Sequence, residues 1–391
     1  MLLGREPKDF DVATDARPEE VRKLFRNCRL IGRRFRLAHV HFGREIIEVA
    51  TFRAGVGVAD AGEAGTDRVI ENGMILRDNV FGTIEEDAWR RDFTVNALYY
   101  NIQDFSVVDY TGGVADLKAG VLRLIGDPEV RYREDPVRLL RAVRFAAKLG
   151  FRIEPRTEAP MRRLGRLLAD VPPARLFEEV LKLLLGGCAV ATYELLCHYD
   201  LFRYLFPETE EALSREEEGY PHVFVLRALE NTDLRLAEDK PVTPAFLFAA
   251  LLWEPLRARV QRLQETEGMT ALQACQLAGR EVLSAAQQHV VLPRRFAIQS
   301  REIWQLQPRL ERVPSKRALR LLEHPRFRAA YDFLLLRAEA GEAVAEAAEW
   351  WTQLQETPDE AERAALCQGA AAGRRRRRRR RRSRKPQQQE A

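Results

Sequence analysis

The chain has 391 residues, 46% of them apolar, which suits two or three globular domains with a sizeable core. Its formal charge of +5 is uneven, because residues 374–391 carry ten Arg, one Lys and one Glu; that is a net +10, which leaves residues 1–373 at −5. A uniformly cationic body is therefore excluded, and the lack of any run of 18 apolar residues or of an apolar stretch behind Met1 speaks against membrane spanning and secretion.

In chain order, the first feature is Lys8-Asp9-Phe10-Asp11-Val12-Ala13-Thr14. On a β-strand, residues i and i+2 share a face, so Asp9 and Asp11 present two carboxylates side by side with Phe10 opposite. A divalent cation relieves their repulsion, and oxygen ligands suit Mg²⁺ and Mn²⁺ alike. Taken alone, a solvated strand end explains the pattern equally well.

Residues 18–26 predict a short helix with Pro18 at its start. Residues 35–42 and 46–52 predict strands connected through Gly43. Glu48 lies inside the second strand, where an acidic residue is costly unless exposed, paired or metal-bound. Asp92 follows Arg90-Arg91 and could cap a helix after it. Glu48 and Asp92 are thus rival candidates for a third carboxylate. A turn is expected at Thr111-Gly112-Gly113 and a last strand at 121–126.

From there the periodicity becomes helical, at 135–149, 174–185, 244–260, 270–284, 294–306, 316–322 and 326–351. In the first of these, Asp135 before Pro136 marks a helix start. Arg138, Arg141 and Arg144 then recur every three residues as a drifting cationic stripe, while Leu140, Val143 and Ala147 form the apolar face. A solvated surface would account for such a stripe. It also follows a helix N-terminus, which favours anions, and a guanidinium can grip phosphate. Asp135 as acceptor and Arg138 as donor could together read the Watson–Crick edge of adenine.

Beyond about residue 355 the chain turns polar and Ala-rich, and residues 374–382 are nine consecutive arginines, a density that predicts an extended, disordered segment. The five cysteines have no Cys-x-x-Cys spacing and read as reduced thiols of a cytosolic protein. His39 and His41 share a strand face without forming a zinc pattern.

Three motifs in this order carry a family resemblance. Asp9-Phe10-Asp11, Arg90-Arg91-Asp92-Phe93-Thr94-Val95-Asn96-Ala97 and Glu134-Asp135-Pro136-Val137-Arg138 resemble the metal, ribose–triphosphate and base-reading motifs of class II nucleotidyltransferases, the superfamily of poly(A) polymerases and CCA-adding enzymes. The joint match is highly specific. The stretch from Leu30 to Val40, Leu-Ile-Gly-Arg-Arg-Phe-Arg-Leu-Ala-His-Val, is similar to one that marks bacterial poly(A) polymerases, and the likeness extends to about Trp351 through residues 240–250 and 324–332.

The resemblance implies an α+β protein with a small mixed α/β nucleotidyltransferase head at 1–125, an all-helical neck with nucleotide- and RNA-binding parts at 126–210, a helical body at 211–355 and a disordered basic tail at 356–391. It implies that AMP from ATP is added to RNA 3′ ends with release of pyrophosphate, in the cytoplasm and in contact with the RNA-decay machinery. Asp9 and Asp11 would hold Mg²⁺ or Mn²⁺, with Glu48 or Asp92 completing the acidic cluster. Arg91 and Asn96 would hold triphosphate and ribose, Asp135 and Arg138 the adenine, and Arg141 and Arg144 phosphates or the orientation of that pair. The arginine tail would tether RNA. Family members carry a strand and a helix with a Gly-Gly pair before the metal motif. This chain starts partway along that helix, so the head is expected to be N-terminally incomplete, with an uncovered sheet edge. The alternatives are a tRNA CCA-adding enzyme and a non-catalytic RNA-binding protein.

Overall fold

A computed structural model describes residues 2–4, 10–32, 36–54, 68–71, 74–78, 80–215, 223–313 and 317–367, with the backbone alone for 68–71 and 74–78. Asp9, the Arg33-Arg34-Phe35 part of the marker stretch and the arginine run lie outside these residues. The chain forms two compact units, 1–170 and 171–391. It is an α+β protein, with its strands in the first unit and a helical second unit.

The first unit is built on a sheet of strands β1 (Val12–Thr14), β2 (Cys28–Ile31), β3 (Leu37–Phe42) and β4 (Glu45–Thr51), in the order β1-β4-β3-β2. β1 runs parallel to β4, and the other pairs are antiparallel. Helix α1 (Pro18–Leu24) starts on Pro18, and Glu20 Oε2 accepts from the Arg17 N–H at 2.7 Å. Val21 packs with Cys28, Ala38, Val40 and Val49 into a small core on one sheet face. The alternation of β3 and β4 sends His39 and Glu48 to the other face.

A hairpin of β5 (Arg68–Glu71) and β6 (Met74–Asp78) precedes helix α2 (Ile84–Arg90). Thr83 and Glu86 close a capping box on α2, each side chain accepting from the other's backbone N–H at 3.2 and 2.7 Å. β7 (Leu98–Tyr100) and β8 (Val107–Asp109) form a second hairpin. Asp109 collects the N–H groups of Thr111, Gly112, Gly113 and Val114 where helix α3 (Gly113–Ala119) begins. Four backbone donors outweigh burial and hold this carboxyl below its ordinary range. β9 (Val121–Leu122) is followed by α4 (Pro128–Glu134) and α5 (Val137–Leu149), and β10 (Arg152–Ile153) returns to pair in parallel with β9. The strand expected at 121–126 is therefore two residues long, although Leu124 still bridges Phe93.

In the second unit the helix expected at 244–260 is two, Pro244–Leu251 and Trp253–Glu267. Pro255 offers no N–H to the Leu251 carbonyl and crowds it, which ends the first helix. The expected 326–351 helix is also two, Phe327–Glu339 and Ala345–Glu356, separated by Gly341 at φ +90°. Trp304 Nε1 donates to the Ala249 carbonyl at 3.0 Å and Ser300 Oγ to that of Ala245 at 2.8 Å, so the buried polar atoms are satisfied where these helices cross. Arg337, also buried, pairs with Glu311 and Glu342 at 2.7 and 2.8 Å and donates to Gln307. Among the described residues no helix is long and apolar enough to cross a membrane.

Candidate active site

Val12 pairs with Val49 across the parallel β1–β4 step. Asp11 immediately precedes β1 and Glu48 immediately precedes Val49, so extending this register by one residue sets the two level. Both residues are exposed. His39 stands opposite Glu48 on β3, with Nε2 3.1 Å from Glu48 Oε1. Among the described residues no three carboxylate, imidazole or thiol groups converge as a metal-holding set. The donors here, Asp11 and Glu48, are nonetheless the hard oxygens that Mg²⁺ takes.

Asp92 lies in a different setting. Its side chain is 10% exposed, and Arg141 grips its Oδ2 through Nε at 2.6 Å and Nη2 at 2.5 Å. Its Oδ1 accepts from the Phe93 N–H at 2.8 Å and Asn96 Nδ2 at 3.0 Å. Burial raises its pKa, but Arg141, Asn96 and the Phe93 N–H together outweigh that and hold the carboxyl below its ordinary range. Only a single 3₁₀ turn, Thr94–Asn96, follows it, so Asp92 does not cap an α-helix. The two candidate carboxylates thus have different surroundings: Glu48 is exposed on β4 beside His39, and Asp92 is bound to Arg141.

The segment 90–97 is fixed from both sides. Phe93 is fully buried, edge-on to Phe145 at 5.8 Å. The Thr94 N–H bonds the Arg123 carbonyl and the Ile125 N–H bonds the Asp92 carbonyl. Arg91 donates through Nε and Nη2 to Asp87 Oδ2 at 3.1 and 3.0 Å and lies over the Tyr99 ring at 5.4 Å. Asp87 also accepts from Tyr99 Oη at 2.6 Å and the Arg53 N–H at 3.2 Å. Burial and the neighbouring Asp87 carboxylate both push the Tyr99 phenol up, and it stays protonated as a donor.

The expected stripe on α5 is turned inward. Arg138 is buried, and its Nη1 donates to the Arg131 carbonyl at 2.6 Å and Glu134 Oε2 at 2.9 Å. Arg141 is held by Asp92, and Arg144 lies 4.6 Å over the Phe145 ring. Three-residue spacing around a helix drifts, and here the neighbouring segments 90–96 and 131–134 supply carboxylates and carbonyls to receive the guanidiniums. Asp135, between α4 and α5, accepts the Val137 N–H at 3.3 Å.

Sequence reasoning missed Asp87 and Arg131. Arg131 is buried, and its guanidinium donates to the carbonyls of Ile125, Arg90 and Arg91 and to Glu134. Burial, reinforced by the nearby Arg138 charge, lowers its pKa to about 10. Helical spacing was the available signal, since Asp87–Arg91 and Glu134–Arg138 are i, i+4 pairs and Arg131–Glu134 an i, i+3 pair.

Comparison with known proteins gives the family context. Residues 1–123 match the poly A polymerase head domain, 150–213 a probable RNA and SrmB-binding site of polymerase A, and 267–386 the polymerase A arginine-rich C-terminus. Poly(A) polymerase I of Escherichia coli O157:H7 is 55% identical over 357 residues, covering 91% of this chain and 77% of that protein. A CC-adding tRNA nucleotidyltransferase of Halalkalibacterium halodurans is 38% identical over 184 residues, 47% of this chain and 41% of that protein. Among solved structures, a tRNA-processing enzyme in its apo form superposes with a TM-score of 0.54 at 22% identity, over 94% of this chain and 93% of that one, which shows a shared fold.

Proposed function

The chain belongs to the bacterial poly(A) polymerase family, a family of nucleotidyltransferases, and from that membership we propose that it adds AMP from ATP to RNA 3′ ends without a template, releasing pyrophosphate. The observation that carries this reading is the reach of the likeness, which runs through head and body alike over 91% of the chain. Likeness to the CC-adding relative stops at 47%.

In this reading Asp9, Asp11 and Glu48 hold Mg²⁺ or Mn²⁺. The level pairing of Asp11 with Glu48 on an exposed sheet face favours Glu48 over Asp92 as the third carboxylate. A bound ion there would lower the pKa of the attacking 3′ hydroxyl and offset charge on the phosphates. The rest of the work is positioning and electrostatics. Arg91 and Asn96 hold triphosphate and ribose, with Arg91 set in place by Asp87. Asp135 and Arg138 read the adenine. Arg138 suits this role because it is anchored through Nη1, and among the described residues its Nε and Nη2 have no partner. Arg141 and Arg144 support the phosphates through the segment they pack against, Arg141 by orienting Asp92 and its neighbours.

The arginine tail tethers RNA electrostatically, without regard to sequence. A single-stranded adenosine tail gives a 3′ nuclease a place to start, which ties the activity to RNA decay. The substrates and the free thiols of Cys28, Cys188, Cys197, Cys275 and Cys367 fit a cytoplasmic setting.

The test is to incubate the protein with a non-tRNA oligonucleotide and one nucleotide at a time. Long products with ATP alone support polyadenylation. Products that stop after three nucleotides and include CMP would point to CCA addition. Retained RNA binding with no product under any nucleotide would point to a non-catalytic RNA-binding protein.

A further inference from the structure

Arg131 belongs to none of the three motifs, yet its side chain bonds four different residues around them. Its Nη2 bonds two consecutive carbonyls, those of Arg90 at 2.6 Å and Arg91 at 2.7 Å. Nε takes the Ile125 carbonyl at 3.1 Å, and Nη1 takes Glu134 Oε2 at 2.6 Å. The same Glu134 oxygen receives Arg138 Nη1 at 2.9 Å, and Arg138 Nη1 in turn bonds the Arg131 carbonyl at 2.6 Å. An unbroken chain of bonds therefore runs from the peptides of Arg90 and Arg91, through Arg131 and Glu134, to Arg138.

This arrangement is costly to build. Arg131 is 7% exposed, and a buried cation must be paired and fully hydrogen-bonded to be tolerated. Glu134 supplies the charge and the three carbonyls take three more of the five N–H donors. A simpler packing residue would hold α4 against the 90–92 turn. Only a planar guanidinium can bond carbonyls on one edge and a carboxylate on the other at the same time.

We propose that Arg131 is a positioning residue for the nucleotide, acting through Arg91: it fixes the peptides on either side of the Arg91 side chain and ties their position to the base-reading Glu134–Arg138 pair. The inference rests on the reading of Arg91 as a triphosphate group. The grip on the phosphates then answers to the state of the base motif, although the base motif touches no phosphate.

Inorganic tripolyphosphate with Mg²⁺ is the probe, because it has no base and reports on the phosphate grip alone. Arg131→Lys keeps the charge and loses the fork, and is expected to raise the Kd for tripolyphosphate about fivefold. In an Arg91→Ala background the same change should add less than about twofold, since both act on one group. Glu134→Gln leaves the three carbonyl bonds in place and should raise the Kd about two- to threefold, again only when Arg91 is present. It decides the matter if Arg131→Lys does not fold. An unchanged Kd in either folded variant, or losses that multiply with Arg91→Ala, would overturn the proposal. If Arg91→Ala alone leaves tripolyphosphate binding unchanged, the assignment of Arg91 is at fault and the inference falls with it.

Discussion

Arg141 holds Asp92 through two nitrogens on one carboxylate oxygen, at 2.6 and 2.5 Å, across 49 residues of sequence. The pair pins α5 to the turn that carries Arg91. Removing the cation leaves a buried carboxylate uncompensated, so Arg141→Met is expected to lower stability by about 2–3 kcal/mol, read as a shift in urea midpoint. The same pair sets an acid limit. Asp92 has a folded pKa below its unfolded value near 3.8, so its contribution is complete above that value and is lost as pH falls from there through the folded pKa. Acid titrations of wild type and Arg141→Met should converge in that range.

The two candidate carboxylates predict opposite signatures. Glu48→Gln should cut kcat about a hundredfold or more and weaken Mg²⁺ activation while leaving the melting temperature nearly unchanged. Asp92→Asn should lower the melting temperature by several degrees, since Arg141 would lose its charged partner. EDTA should abolish activity in the wild type, with Mg²⁺ or Mn²⁺ restoring it. If Asp92→Asn folds normally and alone loses metal response, the assignment to Glu48 is wrong.

Nucleotide choice is expected to depend on Asp135. Asp135→Ala should narrow the ratio of kcat/KM for ATP over CTP about tenfold or more, with RNA affinity changed less than twofold. An equal loss for all four nucleotides would show that Asp135 supports the site without reading the base.

The arginine tail predicts a salt signature. Deleting residues 374–385 should raise the RNA Kd at low ionic strength and flatten the plot of log Kd against log salt, each lost phosphate contact removing about 0.7 from the slope. Parallel lines for the two proteins would remove the tether.

Gly113 offers a purely steric prediction. A Cβ there would lie 2.2 Å from the Thr94 carbonyl oxygen, which is backbone and cannot step aside. Gly113→Ala should cost about 1–3 kcal/mol and, because Thr94 adjoins the Asp92–Asn96 clamp, also raise the KM for ATP. A melting curve and a nucleotide titration on one preparation check both.

Local signals in the sequence located the elements better than their ends. Pro18, Gly43 and the strand patterns at 35–42 and 46–52 act through neighbouring residues, so they are visible in a string of letters. The α2 helix was missed although Thr83-x-x-Glu86 is a legible capping box. The hairpins at 68–78 and 98–109 were missed because their strands are only three to five residues long. In the candidate site the order of motifs was readable, whereas the direction of the α5 arginines was not. Arg138 and Arg141 look like solvated surface until residues 90–96 and 131–134 arrive to receive them. The different surroundings of Glu48 and Asp92 likewise depend on long-range pairings, the β3–β4 register and the Arg141–Asp92 bond, that local spacing does not specify.

The β1–β4 register also sets a timetable. Among the described residues the neighbour of β1 in the sheet is β4, which is synthesised only after α1, β2 and β3. At about 5–20 residues per second, a few seconds separate the synthesis of β1 from that of β4. Closing that parallel pair is a late, non-local event. In the growing chain Asp11 and Glu48 can therefore come level only once the fourth strand has docked.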